Sequence, residues 1–92
     1  MSIDIESPTQ GPIDSRLFRL PQVEAYLGLR RAAIYQRIAA GLISPPIKLG
    51  RRASVWPARE IIALCEAHIE GRSDTNIRQL VTDLVVHRTR NV

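Results

Sequence analysis

The side chains with most chemistry to offer in this sequence are its arginines. Of 13 basic residues, 12 are Arg, whose planar fork suits phosphate oxygens and guanine edges better than the Lys ammonium does. They are unevenly placed. Residues 16–59 carry Arg16, Arg19, Arg30, Arg31, Arg37, Lys48, Arg51, Arg52 and Arg59 against one acid, Glu24, a local net charge of +8, while the rest of the chain carries −4. A basic block between acidic flanks points to a polyanionic partner. The plainer alternative is a solvated surface with chance clustering.

Catalytic chemistry finds little support. His68 and His87 are 19 residues apart, and Cys65-x-x-His68 is at most half a zinc site with no second pair. A buried thiol beside a partly buried His is the simpler reading of that pair. There is no Gly-rich phosphate loop and no nucleophile with a base at reach. The expectation is a non-enzyme with no catalytic residue, no metal and no cofactor. At 92 residues the chain is too short for a two-lobed or doubly wound enzyme. One cysteine excludes an internal disulfide. Apolar runs stop at about five residues, far short of a membrane span. The acidic start, Met1 to Glu6, is unlike a signal peptide, which leads us to expect a cytoplasmic protein with no membrane partner.

The elements that must position the cations are marked by Gly and Pro. Residues 1–15, with Pro8, Gly11 and Pro12 and no period, read as a disordered arm. Leu17 to Leu20 alternate as a short strand or extended lead-in. Pro21 suits a first helical turn, Val23, Tyr26 and Leu27 follow at helical spacing, and Gly28 ends the segment as a left-handed cap. A second helix runs from about Arg31 to Ala40 and closes at Gly41. Ser44-Pro45-Pro46 breaks it. Ile47-Lys48-Leu49, a turn at Gly50-Arg51-Arg52, and Ala53 to Trp56 form a β-hairpin. Pro57 opens a third helix, with Glu60 placed well for the dipole. Ser73 caps a fourth, whose stripe Ile77, Leu80, Val81, Leu84 and Val85 follows i, i+3, i+4, i+7, i+8. The expected core of residues 17–71 is Val23, Leu27, Ile34, Ile38, Leu49, Trp56, Ile61 and Leu64.

Short helix, tight turn, second helix and basic hairpin, in that order, describe a winged helix-turn-helix. At roughly 100° per residue, with Ile34 at zero, Ile38 and Gly41 lie on its side and Gln36 lies opposite at about 200°. Ala32, Ala33 and Ala40 surround Gln36, making a smooth face with one amide. Such a face can enter a major groove, where Gln pairs with adenine and Ala meets a thymine methyl. An Ala-rich face also simply favours helix, which is the bland alternative. Arg30 and Arg37 fall on one flank, Arg31 and Tyr35 on the other, as phosphate-wall contacts. Lys48, Arg51 and Arg52 surround the wing turn, placed for phosphate or the minor groove. Trp56 reads as a core plug.

The run Leu20-Pro21-Gln22-Val23-Glu24, Gly28-Leu29, Ile34-Tyr35-Gln36-Arg37, Gly41-Leu42, Pro46-Ile47-Lys48-Leu49-Gly50-Arg51-Arg52-Ala53 and Val55-Trp56-Pro57 resembles the AlpA family of prophage regulators and the related excisionases, over about Phe18 to Ile69. The resemblance implies a MerR-like winged helix-turn-helix. It also implies binding to promoter or attachment-site DNA of mobile elements, to activate excision genes or to direct a recombinase. The chain departs from the pattern at the recognition-helix start, where Arg30, Arg31, Ala32 and Ala33 replace the usual Ser or Thr. It departs again after Gly41-Leu42, where Ile43 and Ser44 stand in place of a common aromatic.

The resulting expectation is a mainly α chain with a small β-hairpin. Residues 1–15 form the arm, 16–71 the winged helix-turn-helix, and 72–92 a C-terminal amphipathic helix with a frayed tail. It would bind double-stranded DNA at attachment or promoter sites, repeated along the duplex, as an excisionase (recombination directionality factor) or transcriptional regulator. A tyrosine or serine recombinase (integrase) is the expected protein partner. The stripe Ile77, Leu80, Val81, Leu84 and Val85 has two readings: it folds back on the domain, or it meets another protomer in self-association on DNA, which is favoured because one small domain reads few base pairs. The competing reading is a protein-interaction module, antitoxin-like or adaptor-like, using that same C-terminal helix.

Overall fold

The computed structural model of the chain describes residues 16–90. The arm expected over residues 1–15, and residues 91–92 of the tail, lie outside the described residues. The elements run β1 (Leu17–Arg19), α1 (Leu20–Leu27), α2 (Arg31–Ala39), β2 (Ile47–Leu49), β3 (Ala53–Pro57), α3 (Ala58–Ile69) and α4 (Asp74–Arg90). The chain is thus mainly α with a small antiparallel sheet, and β2 and β3 form the expected hairpin. The sheet has a third strand. Its order is β1-β3-β2, with Phe18 opposite Trp56 and Lys48 opposite Ser54. The lead-in before α1 is therefore a paired strand, and its partner lies some forty residues along the chain, beyond the reach of local pattern.

Gly and Pro punctuate as their stereochemistry dictates. Gly41 has φ +79 after the last turn of α2, and its N–H and that of Leu42 bond back to the carbonyls of Ile38 (3.0 Å) and Arg37 (2.8 Å). This is the left-handed cap that closes orphan carbonyls, and a Cβ there would be strained. Gly50, at φ +71, begins the turn that carries Arg51 and Arg52. Ser73 caps α4, its Oγ accepting the Asn76 N–H at 3.2 Å.

The core joins the sheet to all four helices: Phe18, Val23, Ile34, Ile43, Trp56, Ala58, Ile61, Leu64, Ala67, Ile77 and Val81 are buried together. Trp56 is the expected plug, fully buried, with its indole Nε1–H donated to the Ser44 carbonyl at 2.9 Å. Leu49 is a correction. It is 51% exposed, at the turn end of the hairpin, where it pairs with Ala53.

A second correction concerns α4. Ile77 and Val81 sit inside the core, and Leu80, Leu84 and Val85 pack against it. The stripe expected to meet another protomer packs on this chain's own residues, Ile77 and Val81 fully and Leu80, Leu84 and Val85 in part, so residues 17–71 do not hold the whole core. Two arginines of the same helix reach across to other elements. Arg88 grips Glu60 through Nε and Nη2, each at 2.7 Å, and its Nη2 also donates to the Pro45 carbonyl at 2.8 Å. Glu60 is fully buried, and its Oε1 also accepts the Ser44 hydroxyl at 2.8 Å. Helix-dipole placement thus accounts for only part of Glu60's role; it is the centre of a buried polar network. Arg78 donates Nε–H to the Ala40 carbonyl at 2.9 Å.

Candidate nucleic-acid interface

The first turn of α2 is built against ordinary helix preference. Arg30 occupies the N-cap in extended conformation and its side chain makes no capping bond. Arg31 then places a cation where the dipole favours an anion. The leading N–H groups of the helix have no partner within it. A terminus left open and lined with guanidinium groups suits an external phosphate, and local rules are most often broken where function requires it.

The side chains around α2 show a rotation relative to the expectation. Ile34 is buried, Ala33, Arg37 and Ile38 are half-buried, and Arg31, Ala32, Tyr35, Gln36, Ala39 and Ala40 are exposed. The inward direction is turned about 30° from Ile34 toward Arg37, on the same 100° wheel. Two corrections follow. Ala33 belongs to the inner edge rather than the open face. Arg37 turns away from the face, alongside Tyr26, Leu29, Ile43, Cys65 and His68, where its stem can cover apolar surface. The outward face consists of Ala32, Tyr35, Gln36 and Ala39. Ala39 was absent from the residues singled out by sequence, although its place on the wheel, close to Ala32, could have shown it.

Beside that face lies a shallow groove between α2, the start of α1 and the hairpin. Arg19, Pro21, Arg31, Tyr35, Lys48 and Arg52 line it, and no carboxylate does. The groove gathers Arg31 and Tyr35 from the helix with Lys48 and Arg52 from the wing. It adds Arg19, which sequence reasoning counted only as part of the basic block. Arg19 reaches the groove because β1 is hydrogen-bonded to β3, with Arg19 opposite Val55. Its backbone N–H is fixed by Gln22 Oε1 at 2.7 Å. Lys48 is steadied by a bond from Nζ to Ser54 Oγ at 2.8 Å, across one register pair of the hairpin. Arg51 is exposed at the turn and lies outside this groove. Arg30 stands on the other flank of α2, with Glu24, Leu29 and Ala32.

The remaining candidates are distributed otherwise. Cys65 is half-buried and His68 exposed, which corrects the expectation of a buried thiol beside a partly buried His. The thiol faces the Tyr26 carbonyl at 3.8 Å. Among the described residues no three His, Cys, Asp or Glu side chains group as a metal site, and no helix is long and apolar enough to cross a membrane.

Comparison with known proteins bears on this arrangement. The family model of the prophage CP4-57 regulatory protein (AlpA) matches residues 16–65, from β1 through most of α3. Over 82 residues the chain is 29% identical to the uncharacterized protein ORF88 of Enterobacteria phage P4, an alignment covering 78% of this chain and 93% of that protein. No solved structure matches the chain. The matched span contains the helix with the open amide face, the hairpin and every cation of the groove, and by that match the chain belongs to the AlpA family of prophage regulatory proteins.

Proposed function

We propose that this chain is a DNA-binding regulator of a bacterial mobile element, acting in the cytoplasm by binding rather than by catalysis. In this reading α2 enters the major groove with Ala32, Tyr35, Gln36 and Ala39 toward the bases. Gln36 offers the bidentate amide that suits adenine, and the Ala methyls suit thymine. The hairpin lies beside it with Lys48, Arg51 and Arg52 on phosphates. Arg19 and Arg31 hold one strand, Arg30 on the opposite flank of α2 meets the other, and the open helix terminus adds its dipole. The observation that carries the reading is the meeting of four cations, Arg19, Arg31, Lys48 and Arg52, in one acid-free groove next to the exposed face of α2.

The sites would be attachment or promoter sequences. The protein would serve there as an excisionase, directing an integrase of the tyrosine or serine type, or as a transcriptional regulator. Both roles use the same contacts. A single domain of this size contacts few base pairs, so neighbouring protomers on repeated sites would raise occupancy. The α4 stripe offers less to such contacts than its pattern suggests, because Ile77 and Val81 are spent on the core and Leu80, Leu84 and Val85 pack partly against it. The adaptor alternative relied on that stripe and loses much of its surface for the same reason.

Gel shifts with duplexes from the DNA flanking the gene, in excess random competitor and at moderate salt, test the proposal. A retarded band that survives competitor supports it. Absence of any band, down to low salt, contradicts it.

A further inference from the structure

The segment that joins α2 to β2, residues 40–46, carries no regular hydrogen-bond ladder. Yet its course sets the angle between the helix and the hairpin. Two arginines of α4 hold it. Arg78 Nε donates to the Ala40 carbonyl at 2.9 Å, and its stem lies over Gly41, 3.7 Å from where a Cβ would stand. Four residues on, Arg88 Nη2 donates to the Pro45 carbonyl at 2.8 Å. Between them Ser44 is fixed twice, by its hydroxyl on Glu60 (2.8 Å) and by its carbonyl under the Trp56 indole (2.9 Å), while Arg88 closes both oxygens of Glu60.

We infer that α4 is a clasp that sets the angle between α2 and the hairpin, with Arg78 and Arg88 as its positioning residues. Its consequence for DNA reading rests on the function proposed above. The energetics favour a geometric role. A buried pair such as Glu60–Arg88 is costly to desolvate, and apolar side chains of similar volume would commonly give equal stability. What apolar side chains do not supply is direction. Four polar contacts on a seven-residue segment fix its path, and base readout depends on the placement of Gln36 relative to phosphate contacts made by the wing. Phosphate contacts alone tolerate more slack. Loosening the clasp therefore acts on discrimination before it acts on overall affinity.

Two variants test this. Arg78→Ala removes one exposed contact and leaves the core intact. The double variant Glu60→Gln/Arg88→Met removes the pair without leaving a charge buried alone. Nitroxide labels on Gln36→Cys and Arg51→Cys, in a Cys65→Ser background, report the helix-to-wing distance distribution by pulsed electron resonance, without DNA. The inference expects a broader distribution in both variants, widest in the double, with Arg78→Lys restoring the wild-type width. In the unlabelled proteins, the ratio of specific to random duplex affinity should fall about tenfold, as for one lost base contact, with random-duplex affinity changed less than about twofold.

Wild-type distance distributions in both variants overturn the clasp. So does an unchanged affinity ratio in a variant whose distribution has broadened, for the angle then does not govern reading. If the double variant does not fold, Arg78→Ala against Arg78→Lys decides by the same two readouts. If the wild type binds neither duplex, the proposed function fails, and the label distributions still decide whether α4 sets the angle.

Discussion

Arg88 holds both carboxylate oxygens of Glu60 at 2.7 Å, across 28 residues of sequence, in a site where Glu60 has no exposed surface. The last full turn of α4 is thereby tied to the first turn of α3. Removing one partner leaves the other charge buried. Arg88→Met should cost about 3–5 kcal/mol, a large fraction of the stability of a domain this size. Urea denaturation of the two proteins checks it, and a loss under 1 kcal/mol would show that water relieves the site.

Truncation after Arg72 carries the same logic further. It removes Ile77 and Val81, both buried, each contributing roughly 1.5–3 kcal/mol, together with Arg88. The shortened chain should fail to fold, by far-UV circular dichroism and amide dispersion. A cooperative melt from residues 1–72 would return α4 to the role of an appended helix.

Arg30→Ser should separate stability from function. A hydroxyl at that N-cap can bond the open N–H groups of α2, adding about 1 kcal/mol. It also deletes a cation at the start of α2, on the flank away from the groove. The expected outcome is a higher melting temperature together with weaker DNA binding. If binding is unchanged, Arg30 does not face phosphate.

Arg51→Ala/Arg52→Ala should weaken binding to specific and random duplexes by similar factors. Each lost phosphate contact lowers the log–log salt slope by about one unit, so the pair should lower it by up to about two. A retained slope with lost preference would instead make the wing a base reader.

Much of this molecule was legible as sequence because its element boundaries are chemical. Gly28, Gly41, Gly50, Pro57 and Ser73 each force or favour a local conformation, and each stands at the boundary it announced. The periodic stripes of α3 and α4 were equally plain. The rest depended on distance along the chain. Pairing of β1 with β3 brings Arg19 to the groove, and no local pattern encodes a partner forty residues away. Glu60 looked like a dipole residue because its position in the first turn is visible, whereas Ser44 and Arg88 are not visible as its partners. The rotation of α2 turned on Arg37, a cation whose stem is accommodated against Tyr26 and Leu29; a hydropathy pattern scores it as solvent-facing. The α4 stripe was read correctly as apolar, but amphipathicity says nothing about whether the surface it meets belongs to the same chain.

Gln36 stands on the exposed face of α2, beside Ala32 and Ala39 at its middle, and is not among the residues of the core. Gln36→Ala should therefore flatten base preference at one or two positions, by roughly 1–3 kcal/mol, and leave the melting temperature within a degree or two. A sharp fall in melting temperature with preference retained would make it structural.

The most direct measurement for the central claim is an amide and side-chain NMR titration of the full chain with a duplex from its flanking DNA. The account expects the largest shifts at Arg19, at Arg30 to Gln36 including the Gln36 side-chain amide, at Ala39, and at Lys48 to Arg52. Residues on the outer face of α4, such as Thr82 and Asp83, should stay still. Shifts confined to α3 and α4, or none at saturating duplex, would contradict the assignment of α2 and the hairpin as the DNA-binding surface.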